Sequence, residues 1–143
     1  MSTKSVARSV SASPATQELE TLENWSFAAP DLMQRLEGAD DATLDELPFG
    51  VIAMTSDGIV VSYNAAESRL SGLSAAKVIG RHFFSAVAPC TDNFMVGYRF
   101  ETQATLDVAV DYVFTLRMQA TDVTLRLLKQ PTCERMYLLV KPV

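Results

Sequence analysis

A chain of 143 residues is sized for one domain, and its 48% hydrophobic content supplies enough apolar surface for a single core. The formal net charge of −5 leaves no basic stripe, which argues against nucleic acid or an anionic membrane surface as a partner. No apolar run approaches the ~20 residues of a membrane span, so a membrane protein of the helical kind is not expected.

Residues 1–17 are rich in Ser, Ala and Thr and carry almost no large apolar side chains, so a disordered N-terminal extension is expected there. The segment is basic but lacks an apolar h-region, and it does not read as a signal peptide. Across residues 18–43, Leu19, Leu22, Trp25, Phe27, Leu32 and Leu36 give short helical faces broken by Pro30 and Gly38. Asp31 is placed to cap the second face. An N-terminal cap lying on the main sheet is one expectation for 18–43, and a mobile linker is the other. The remaining residues, 44–143, read as the core domain.

Residues 49–55 form a strand-like apolar run, Asp57-Gly58 is a two-residue turn signal, and 59–63 return as the hairpin partner. Asn64 and Glu67 then stand in an N-x-x-E arrangement related to the capping box, in which the carboxyl reaches back to the cap residue's N–H. Tyr63 and Glu67 are four apart and Ser71 four further, so a helix opening at Asn64 leans all three toward one face. Arg69 falls off that face and reads as solvated. Residues 74–78 make another helical turn that Gly80 ends in a left-handed cap. Phe94, Tyr98 and Glu101 are spaced for a helix over 92–103, weakened by Gly97. Strands follow at 108–118, 123–129 and 136–140. Two strands, short helices and three strands make an α+β fold, with an antiparallel sheet covered by helices on one face.

The two cysteines, Cys90 and Cys133, lie far apart without metal-ligand spacing, and the lone His82 has no partner for a zinc site. A reduced, cytoplasmic setting is the economical reading. Cys133 sits in a polar turn and reads as an incidental exposed thiol. Cys90 follows Phe83, Phe84 and a Val-Ala-Pro lead-in, which argues for an apolar setting. By residue type alone Cys90 reads first as a small buried hydrophobe without reactivity, and the phenylalanine pair is equally plain core. An acyl-transfer enzyme built on Cys90 has little support. His82 is the only candidate base, and no Gly-rich oxyanion loop is visible.

Several short matches carry a resemblance: YNAAE at 63–67, VIG followed by Arg81, the pair at 83–84, and APCTD at 88–92. LDELPFGVIA at 44–53 and the strand with Tyr112, Phe114 and Met118 add to it, with a shorter segment between Asp92 and Asp111. Over about two thirds of its length the chain resembles the photoactive yellow protein (xanthopsin) family, blue-light receptors of the PAS fold. The resemblance implies a five-stranded antiparallel PAS core flanked by short helices, with a helical N-terminal cap. It also implies 4-hydroxycinnamic acid (p-coumaric acid) as a thioester on Cys90, its phenolate hydrogen-bonded by Tyr63 and Glu67. Ser71 stands where the family usually has threonine, and Phe83, Phe84 and Phe114 fall among the residues around the group. Leu73 replaces the family's arginine, so the gating contact of that arginine does not carry over.

Chemically, a phenol with an ordinary pKa near ~10 is costly to bury as its anion, so such a site must offer strong donors. Tyr63 offers one, and Glu67 a second while it is protonated. The function implied is light sensing: photoisomerisation, proton transfer from Glu67, and partial unfolding read by a downstream signalling protein. No enzymatic turnover, nucleic acid or membrane is involved, and the chain is expected as a monomer or weak dimer. The alternative is a PAS-like small-ligand-binding or dimerisation module without a chromophore.

Overall fold

Alternating apolar residues in the C-terminal third become the frame of the molecule. In a computed structural model, which describes residues 25–116 and 119–143, strands β1 (Gly50–Thr55), β2 (Val60–Tyr63), β3 (Leu106–Leu116), β4 (Gln119–Lys129) and β5 (Arg135–Pro142) form one sheet. Its order is β2-β1-β5-β4-β3 and every pairing is antiparallel. The expected disordered extension, the Leu19 and Leu22 part of the cap, and Met118 lie outside the described residues. Among the described residues no helix is long and apolar enough to cross a membrane.

β4 begins four residues earlier than its apolar alternation suggests, because Thr121 and Asp122 join the ladder opposite Phe114 and Val113 through the backbone alone. The first hairpin also differs in detail. Gly58 N–H donates to Thr55 O at 2.9 Å and Thr55 N–H to Ile59 O at 2.9 Å, so the loop is the three residues 56–58. Gly58 occupies the left-handed region at φ 84°, the position that such loops reserve for glycine.

The sheet buries both faces. Along β5, Met136, Leu138 and Val140 enter one core while Tyr137 and Leu139 enter the other, as a period of two requires. The first core holds Ile52, Val60, Tyr63, Phe83, Phe84, Phe100, Leu125 and Leu127. It lies beneath α3 (Ala65–Ser71), α4 (Ala75–Val78), a π-helical turn (Phe83–Val87), a 3-10 turn (Pro89–Thr91) and α5 (Gly97–Thr102). The helix expected over 92–103 is therefore shorter. Asn93 Oδ1 accepts from the N–H groups of Met95 and Val96, and this turn replaces the first half. Gly97 is a close-approach site, since a Cβ there would meet Thr91 O at 3.0 Å.

The second core lies on the opposite face of the sheet, which short helices thus flank on both sides. Trp25, Leu32, Met33 and Leu36, with α1 (Leu32–Glu37) and α2 (Asp41–Asp45), pack on Val51, Ala53, Tyr137 and Leu139. Asp31 precedes α1 but makes no cap bond, because its carboxylate accepts from Arg35 Nε at 3.0 Å instead. Arg126 ties this segment down. Its guanidinium chelates Asp107 at 2.9 and 3.0 Å, and Nη1 donates to the carbonyls of Phe27 and Ala29 at 2.9 and 2.7 Å. Tyr137 adds a bond from its hydroxyl to Glu37 Oε2 at 2.6 Å.

Candidate functional site

The end of β2 and the start of α3 are fixed by one buried amide. Asn64 Oδ1 accepts from Glu67 N–H at 3.0 Å, the N-cap bond, and also from Val51 N–H at 2.9 Å. Its Nδ2 donates to Leu44 O at 2.8 Å and Phe49 O at 3.0 Å. All four capacities of the amide are used, so α2, β1 and α3 meet at one residue. The backbone N–H of Asn64 donates to Val51 O at 3.1 Å, which leaves it no role for the Glu67 carboxyl. The reciprocal half of a capping box is absent, and the Glu67 side chain goes inward.

Glu67 is 4% exposed, and its Oε1 has no hydrogen-bond partner. Burial pushes its pKa up to about 8, while the Tyr63 hydroxyl beside it pulls the other way. The acid is therefore neutral at pH 7 and carries a proton to donate. Tyr63 is also buried, and its pKa is raised, first by burial and then by the nearby Glu67 charge. Its hydroxyl donates to Ser71 Oγ at 2.7 Å, and Ser71 Oγ accepts from Leu73 N–H at 3.1 Å. Tyr63 ends β2 rather than sharing the helix, and Glu67 and Ser71 lie four apart on α3, so the strand-to-helix junction at Asn64 delivers the three side chains to one place. α3 ends just beyond, at Gly72, whose φ is 81°.

These three side chains border a cleft of about 310 Å³ that is also lined by Leu73, Phe83, Val87, Pro89, Cys90 and Phe114. That volume lies at the small end of ordinary ligand pockets. Cys90 differs from the apolar setting expected of it. It is exposed, because the 3-10 turn that carries it sends Thr91 into the core at 0% exposure and leaves the preceding side chain outside. The turn is anchored. Tyr112 Oη and Asn93 Nδ2 both donate to the Cys90 carbonyl, at 2.8 and 2.9 Å, and Thr91 Oγ1 donates to Ala88 O at 2.7 Å.

Phe83 and Phe84 part company. Phe83 lines the cleft, whereas Phe84 packs edge-on against it at 5.2 Å and faces a separate hollow with His82, Phe100 and Met136. Cys133 is half-buried against the second core rather than exposed, with its Sγ directed at Gln130 Oε1, 3.9 Å away. Arg69 is exposed on α3. Among the described residues no cluster of three His, Cys, Asp or Glu side chains suits a metal ion. The anchors Asn93 and Tyr112 lie 19 residues apart, and no local pattern in the sequence joins them.

Residues 39–137 match the family model described as the PAS fold. The chain is 35% identical over 125 residues to a photoactive yellow protein of Rhodothalassium salexigens, covering 85% of this chain and 100% of the relative. It is 33% identical to that of Halochromatium salexigens over 118 residues, covering 80% and 94%. Among solved structures, the photoactive yellow protein domain of the sensor histidine kinase Ppr from Rhodospirillum centenum superposes with a TM-score of 0.70 at 37% identity, covering 76% of this chain and 97% of that one. A PAS domain of an HTR-like protein from Haloarcula marismortui, at 16% identity and a TM-score of 0.58, shares the fold.

Proposed function

The chain belongs to the photoactive yellow protein family of PAS-fold proteins, and we propose that it is a blue-light receptor whose 4-hydroxycinnamoyl group is a thioester on Cys90. One observation supports this reading above the others. A single apolar-walled cleft joins an accessible thiol, Cys90, to a buried neutral acid, Glu67, that has a proton to donate and at Oε1 no partner. The residues present fit such a group: a nucleophile at the open end, two O–H donors at the closed end, and aromatic walls at Phe83 and Phe114.

When bound, the group supplies blue absorption, a photoisomerisable double bond and a phenolic oxygen. Attachment needs an activated 4-hydroxycinnamoyl donor. The Cys90 thiolate attacks the donor's carbonyl carbon, a C–S bond forms, and the leaving group departs with its electron pair. Tyr63 and Glu67 then donate toward the phenolic end, each bond contributing ~1.5–3 kcal/mol if the oxygen is anionic. Ser71, 2.7 Å from the Tyr63 hydroxyl, keeps that hydroxyl in place whichever of the two donates.

After light absorption Glu67 would pass its proton to the phenolic oxygen of the group, which would thereby be neutralised, and would itself be left as a buried carboxylate in a site that favours the neutral acid. Such a charge is costly to keep, and the surrounding structure loosens to solvate it. Asn64 caps the helix bearing Glu67 and also bonds Leu44 O, so loosening at α3 reaches the segment on the opposite face. Partial release of that segment is the signal, which a downstream signalling protein reads, and no turnover is involved. Incubation with the activated donor tests the attachment. Wild type and Cys133→Ser turn yellow and gain one acyl group at Cys90, while Cys90→Ser stays colourless. Acylation of Cys133 in the Cys90→Ser protein overturns the assignment.

A further inference from the structure

Gly50 opens β1 and pairs with Val140 in the regular β1–β5 ladder. It is not one of the three glycines with positive φ, so the backbone there does not require glycine. A glycine inside a strand gives up conformational entropy and side-chain packing, and it often marks a place where another group comes close. The group that comes close here is Glu67. A Cβ at Gly50 would overlap Oε1, and would lie 3.2 Å from Cδ and 3.3 Å from Cβ of the same side chain. The approach follows from the Asn64 amide, which binds Val51 N–H on β1 and Glu67 N–H on α3 through one oxygen and so draws strand and helix together.

We propose that Gly50 is a positioning residue: the side chain missing from this strand position is the space that holds the Glu67 carboxyl beside the Tyr63 hydroxyl. This role rests on the light-sensing reading only in its last step. The acid cannot retreat toward the sheet without the vacancy at Gly50. With a methyl group there it must turn outward along the cleft, away from the position in which it faces Tyr63. Gly50 thereby sets both the burial of the proton donor and its distance from the phenolic end of the bound group.

Two measurements on the full-length, chromophore-free chain test the contact itself. Gly50→Ala should lower the urea midpoint in the wild-type background and cause no loss in the Glu67→Ala background, where the added methyl fills the space left by the acid. Equal losses in both backgrounds would show that the strand, not the carboxyl, rejects the Cβ, and would overturn the proposal. In infrared spectra, the protonated-carboxyl band that Glu67→Gln removes should move in Gly50→Ala toward that of a solvated acid. An unmoved band contradicts the proposal. Should Gly50→Ala fail to fold, Glu67→Asp in the same chain should restore folding, since the acid is one methylene shorter; no rescue again overturns it. In the pigmented protein, Gly50→Ala should shift absorption in the same direction as Glu67→Gln, and an unshifted band refutes the positioning role. A chain that never takes up the pigment defeats the light-sensing reading and leaves the first two measurements to decide on Gly50.

Discussion

Raising the pH should destabilise the chromophore-free chain through Glu67, and replacing that one residue by Gln should remove the effect. Its carboxyl has a pKa of about 8 in the fold, raised by burial from an ordinary value of 4.5. Between those limits the folded chain holds a proton that the unfolded chain has released. Stability is therefore fully present below the unfolded value and falls as pH rises toward about 8, where it levels off. The slope approaches ~1.4 kcal/mol per pH unit, and the whole window is worth at most on the order of 5 kcal/mol. Against a total stability of ~5–15 kcal/mol this is a large share. In urea, the midpoint should drop by roughly 0.5–1 M for each pH unit inside the window. The assay is a set of urea titrations from about pH 5 to about pH 9 on wild type and Glu67→Gln. Subtracting one series from the other cancels every other titrating group. Parallel pH profiles for the two proteins would refute the buried-acid assignment.

Two further outcomes are expected. Leu73, 39% exposed, lines the cleft with an apolar side chain, so Leu73→Arg, which puts a charge there, should change the rate of dark recovery in a flash-photolysis measurement; an unchanged rate from about pH 6 to about pH 9 would show that the position does not gate the site. Arg126→Ala strands the carbonyls of Phe27 and Ala29, at a cost of ~1–3 kcal/mol, and should raise dark-state hydrogen exchange around residues 25–31 toward the level that blue light produces in wild type. Exchange that responds neither to Arg126→Ala nor to light would remove this segment from the signal.

Local rules carried much of the site. The four-residue spacing of Glu67 and Ser71 and the Asn64 cap follow from helical geometry, Tyr63 joins them from the end of β2, and the structure brings the three side chains to one cleft. The β5 alternation likewise divides its residues between the two cores. What was not legible depends on contacts between distant residues or on the direction of single turns. Apolar neighbours suggested burial for Cys90, but adjacent residues in a one-turn helix point different ways, and it was Thr91 that entered the core. The same adjacency separates Phe83 from Phe84. The Glu67 carboxyl had two destinations by sequence, the cap residue's N–H or the interior; the Val51 carbonyl, 13 residues away from Asn64, occupies the first. Gly50 left a readable trace, a glycine inside a strand, but the side chain it admits comes from a separate helix.

The central claim, that Glu67 is the proton donor of a light-driven cycle, is tested most directly by light-minus-dark infrared spectra of the pigmented protein. Wild type should lose a protonated-carboxyl band on illumination and gain a carboxylate band as the pigment bleaches. Glu67→Gln should absorb at longer wavelength in the dark, because the amide is the weaker donor, and should lack both infrared features. A wild-type spectrum that bleaches with no carboxyl band lost, or a Glu67→Gln protein that still shows the pair, would contradict the account.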